Sequence, residues 1–76
     1  MTLADTMPTS QCRVVQAAAG NPQLQARLYS LGLYPGVIVD VLRVAPMGDP
    51  LQLRVGGTLL SVRKQEANLI SVEAVG

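Results

Sequence analysis

The sequence predicts a mainly β domain: a small, strongly bent five-stranded barrel with one inserted α-helix and a short helical turn before the last strand. Three observations carry this reading. Five short runs of valine, isoleucine and leucine alternate with clusters of glycine and proline. One segment between the first two runs has leucines at helical spacing and residues suited to both helix caps. A flat sheet of five such strands would leave an apolar face and two edges bare, which closure into a barrel avoids.

Residues 1–10 mix Thr, Ser, Pro and Asp with weak periodicity and are expected to be loosely held. Residues 12–17 read as the first strand, with Val14 and Val15 as its β-branched centre. Asn21 is a good helix N-cap, and Pro22 occupies the first helical position, where a missing N–H costs nothing. Leu24, Leu28 and Leu31 follow at i, i+4 and i+7, on one face. Gly32 supplies the positive φ at which helices end. A helix this short is marginal alone, so its leucines must pack on the core.

Pro35-Gly36 fits the central pair of a type II turn. The strand 37–44 that follows has two apolar faces, Val37, Val39 and Val41 with Arg43, and Ile38, Leu42 and Val44 with Asp40. The second face, with Leu59, is either a secondary core beneath the helix or an exposed patch. Ala45-Pro46-Met47-Gly48-Asp49-Pro50 forms a second corner, in which Asp49 is suited to accept from a backbone N–H of the turn. Residues 51–55 alternate cleanly, with Leu51, Leu53 and Val55 inward, and Gly56-Gly57 marks a hairpin. The return strand 58–63 sends Leu60 and Val62 inward. Residues 64–69 can form a helical turn, and 70–73 alternate again.

Seventy-six residues make one domain, 1–76, near the lower size for a core without staples. Apolar residues make up 49% and charged residues only 14%, so some apolar side chains must face water; this favours a docking face and weak self-association. The net charge is +1, and no Lys/Arg cluster is present to neutralise successive phosphates, which argues against nucleic acid. The chain has no histidine, which removes the commonest general base and the usual zinc ligand. Its five carboxylates (Asp5, Asp40, Asp49, Glu66 and Glu73) are not paired at short spacing, so no catalytic residue, metal site or cofactor is expected. Arg63 is expected to lie along the barrel wall against a carboxylate. Cys12 is alone and reads as a small buried apolar residue. No signal-like start and no apolar run near 20 residues is present, so a cytoplasmic protein without membrane insertion is expected.

Four elements occur in order: Arg27-Leu28-Tyr29-Ser30-Leu31-Gly32-Leu33-Tyr34-Pro35-Gly36, valines at 39 and 41, the corner Ala45 to Pro50, and Leu60-Ser61-Val62-Arg63 followed by Glu66-Ala67-Asn68-Leu69-Ile70-Ser71-Val72-Glu73. Over roughly residues 12–73 this pattern resembles the ferrous iron transport protein A (FeoA) family, small cytoplasmic accessories of the bacterial ferrous-iron permease FeoB. The resemblance implies an SH3-like barrel, no catalytic residues, and contact with the cytosolic GTP-binding part of a FeoB-type permease. The side chains suited to that contact lie in the two corners: Leu33, Tyr34, Pro46 and Met47. An alternative is the regulatory SH3-like domain attached to some metal-dependent transcriptional repressors, which the chain also resembles.

Overall fold

Asn21 begins the helix as its chemistry requires: its side chain accepts from the Leu24 N–H at 3.1 Å, and Pro22 opens α1 (Pro22–Ser30). The computed structural model describes residues 1–75. At the hairpin, Gly56 and Gly57 both have positive φ (55° and 85°), the type I′ pattern whose twist suits two strands. They join β3 (Leu51–Val55) to β4 (Thr58–Val62). β3 pairs with β2 (Ile38–Val44), β2 with β1 (Ser10–Ala17), and β1 with β5 (Ile70–Ala74), all antiparallel. The helical turn α2 (Lys64–Ala67) lies between β4 and β5, and a 3-10 turn, Leu3–Asp5, precedes β1.

The strand order is β4-β3-β2-β1-β5, and the sheet is open. The expected SH3-like barrel is therefore not formed, since closure would require the two edge strands to pair. The outer edge of β5 is occupied instead by the N-terminus. Val72 donates its N–H to the Met1 carbonyl at 2.9 Å, and Thr2 bridges to Ser71. The Thr2 N–H and hydroxyl both donate to Asp5 Oδ2, at 3.0 and 3.2 Å, folding this segment back on itself. Leu3 is fully buried in the core. Residues 1–10 thus hold defined contacts where their composition suggested a loose segment.

Two bulges bend the sheet and settle the puzzle of β2. Against β3, Val41 faces Leu53 but Arg43 faces Gln52, leaving Leu42 as the extra residue. One added residue reverses which side chains face inward. Val39 and Val41 fill the core before the bulge, and Val44 packs against it afterwards, opposite buried Leu51. β1 does the same at Val15, skipped between Val14 and Gln16 in the pairing with β5. Val15 is exposed, while Cys12, Val14 and Ala17 are buried.

Candidate docking surface at two corners

The first corner is a Schellman motif. Gly32 has φ +98°, donates to the Tyr29 carbonyl at 3.0 Å, and lets Leu33 donate to the Leu28 carbonyl at 3.0 Å. This geometry places the residue after glycine back over the last helical turn, so Leu33 enters the core beside Leu28 and is 0% exposed. Leu31, the third leucine of the expected helix stripe, is the cap residue and is exposed. Leu33 is therefore a core residue and cannot grip a partner. The signal for this was present: a Gly at the helix end makes the following Leu the one that packs back.

Tyr34, next in the chain, is 49% exposed. Its carbonyl accepts from Val37 at 3.2 Å across a turn whose Gly36 has φ +94°, as a type II turn requires. Gly36 donates to the Val14 carbonyl at 2.7 Å, and Val14 donates to the Val37 carbonyl at 2.9 Å. The turn is thereby fastened to β1, and Tyr34 stands on a rigid base.

The second corner is braced in the same manner. Gly48 donates to the Ala45 carbonyl at 2.7 Å and Ala45 to the Pro50 carbonyl at 3.1 Å. Asp49 does not serve the turn, as expected of it, but accepts from the Lys64 N–H at 3.0 Å, capping α2 from fifteen residues away. Pro46 is exposed, and Met47 is 91% exposed at the tip. The two corners flank β2, whose seven residues span about 20 Å at strand rise. Tyr34 and the Pro46-Met47 tip are therefore separate features at opposite ends of one strand, not a single patch.

The family model for the FeoA domain matches residues 1–74. The chain belongs to the FeoA family. Among solved structures it is similar to the FeoA protein of Chlorobium tepidum, at 37% identity and a TM-score of 0.91, over 100% of this chain and 71% of that one. It is similar also to iron(II) transport protein A of Clostridium thermocellum, at 33% identity and a TM-score of 0.90. That match covers 99% of this chain but 46% of the other, so this chain spans less than half its length. The T. acidophilum protein IdeR shares the fold, at 20% identity and a TM-score of 0.86, over 99% of this chain and 34% of that one.

In this FeoA-family chain a polar cleft lies between Arg27 of α1, Glu66 of α2 and the second corner. Arg27 on α1 pairs with Glu66 on α2 at 2.9 Å, tying the helix to the helical turn. Arg63 lines the cleft beside Asp49, Pro50 and Ser61 but has no carboxylate partner among the described residues, contrary to expectation. Cys12 is buried as expected, and burial first, then the nearby Asp40 charge, push its thiol pKa above the ordinary value. No three His, Cys, Asp or Glu side chains gather to hold a metal ion among the described residues. No helix there is long and apolar enough to cross a membrane. Of the undecided face, Ile38 and Leu42 are half-buried, Val44 packs against the core, and Leu59 is exposed.

Proposed function

We propose that the chain is a small cytoplasmic accessory of bacterial ferrous iron uptake that acts by docking on the cytosolic GTP-binding part of a FeoB-type permease. Membership of the FeoA family supports the iron-uptake setting. The observation that carries the docking reading is the Pro46-Met47 tip. Met47 is the most exposed large apolar side chain, held out by a corner that is hydrogen-bonded at both ends and anchored through Asp49. The rigid corner spares backbone ordering on binding, and the adaptable thioether fits an irregular apolar groove at the cost of its own rotamer freedom. Tyr34 is the corresponding anchor at the far end of β2, with an apolar ring and a hydroxyl left wet.

The test is binding of the purified permease cytosolic domain to the wild-type chain and to Met47→Asp and Tyr34→Asp. Burying a methionine contributes about 1.5–3 kcal/mol, so losing it weakens binding by roughly 10- to 100-fold. Both residues are exposed, so each variant keeps its fold, checked by circular dichroism. Unchanged affinity in both variants would remove the corners from the interface. Absence of any binding by the wild-type chain would sink the permease reading itself. The repressor-domain alternative has only a shared fold behind it.

A further inference from the structure

The two edges of the sheet are treated unequally. The edge of β5 is covered by Met1 and Thr2, whereas nothing pairs with the outer side of β4 among the described residues. The hairpin register identifies the bare groups. Val55 and Thr58 face each other across the two-residue turn and exchange its hydrogen bonds. Thr58, Leu60 and Val62 therefore turn their N–H and C=O groups towards β3, while Leu59 and Ser61 turn theirs outward. Neither Leu59 nor Ser61 has another backbone partner among the described residues.

Natural edge strands are defended by charge, proline, a bulge or a cover. Apart from its shortness, five residues, this one has no such defence. Residues 56–62 read Gly-Gly-Thr-Leu-Leu-Ser-Val, and the β3–β4 register runs from Leu51–Val62 to Val55–Thr58 without a shift. Leu59 is 67% exposed and borders a shallow depression of about 150 Å³, which Leu42 also lines.

We propose that β4 pairs antiparallel with β4 of a second copy of this chain, about a two-fold axis through Leu60. The register selects this occupant. With Leu60 opposite its symmetry mate, Leu59 of each copy faces Ser61 of the other, and each such pair exchanges two hydrogen bonds. All the outward groups of Leu59 and Ser61 in both copies are then used. Thr58 falls opposite Val62, and no charge opposes a like charge anywhere in the paired stretch. The two Leu59 side chains become diagonal neighbours about 7–8 Å apart, which brings together the two depressions, each lined by Leu42, Leu53, Leu59 and Leu60 with Gln52 and Ser61. A two-fold interface requires a self-complementary patch, and a strand whose outward groups are disposed evenly about its central residue is one.

The interface is small, so the dimer is weak and populated at high concentration. The experiment is sedimentation equilibrium over a wide concentration range on the wild-type chain, with amide hydrogen exchange read by NMR at the dilute and concentrated ends. The expected result is reversible dimerisation, with exchange at the Leu59 and Ser61 amides slowed severalfold at the concentrated end. Leu59→Lys, at an exposed position, is expected to weaken the dimer at least tenfold with an unchanged circular dichroism spectrum. Ser61→Pro, which deletes an outward N–H, is expected to do the same. A chain that stays monomeric at every concentration overturns the proposal, as does a dimer whose Leu59 and Ser61 amides exchange at the dilute rate. Protection of these amides only when the permease domain is added would overturn self-pairing in favour of a strand from that partner.

Discussion

Replacing Leu33 by alanine distinguishes a core residue from a docking residue at a position where the neighbouring side chain, Tyr34, faces water. Leu33 is fully buried, and its N–H is tied to the Leu28 carbonyl at 3.0 Å, so the backbone cannot readily collapse into the space a smaller side chain would leave. Leucine-to-alanine changes at such sites cost about 2–5 kcal/mol, and about 3 kcal/mol is expected here. A 76-residue domain has roughly 4–11 kcal/mol of total stability, so the change removes a quarter or more of it. At about 4–8 °C per kcal/mol for a domain of this size, the melting temperature falls by about 12–24 °C. Thermal and urea unfolding followed by circular dichroism measure this directly, with the urea slope expected to be unchanged. Tyr34→Ala, half exposed, is expected to stay within about 1 kcal/mol of wild type. If Leu33→Ala were within about 0.5 kcal/mol of wild type, the packing assignment of the first corner would be refuted.

Other perturbations read other contacts. Gly32→Ala places a side chain at φ +98°, with strain of about 1–2 kcal/mol visible as a lower urea midpoint. Asp49→Ala leaves the Lys64 N–H without its acceptor and is expected to cost about 1 kcal/mol, while Asp49→Asn retains a carbonyl oxygen and stays near wild type. The Cys12 thiol, its pKa raised by burial and then by Asp40, is expected to resist thiol reagents at neutral pH until urea unfolds the chain. Because the folded thiol holds its proton more tightly than the unfolded one, its contribution to stability is complete below the unfolded pKa of about 8.5 and declines as pH rises above it. The wild-type urea midpoint should therefore fall more steeply than that of Cys12→Ala between neutral and alkaline pH.

The features legible in the sequence were those governed by residues a few positions apart. Asn21 capping Leu24, the helix end at Gly32, the turn at Pro35-Gly36 and the hairpin at Gly56-Gly57 all depend on backbone angles and contacts within one turn of chain. Burial of Leu33 belongs to the same class, because it follows from the helix cap, but the leucine spacing pointed to Leu31 and obscured it. At the candidate surface, Tyr34, Pro46 and Met47 are exposed as read, and the two corners lie at opposite ends of β2.

Long-range contacts decided the rest. The sheet stays open, with Met1 and Thr2 on the edge of β5 in place of β4, a pairing of distant segments. The bulges at Val15 and Leu42 follow from pairing with neighbouring strands, and each reverses the inward face, which alternation within one strand cannot signal. Asp49 found its donor on α2, fifteen residues on, because the fold brought it there. Sequence by itself determined the elements, their order and the two corners, since those rest on local torsional preference and side-chain spacing. Tertiary structure alone decided which edge is covered, which edge is bare and where the two bulges fall, since those depend on which distant groups satisfy one another.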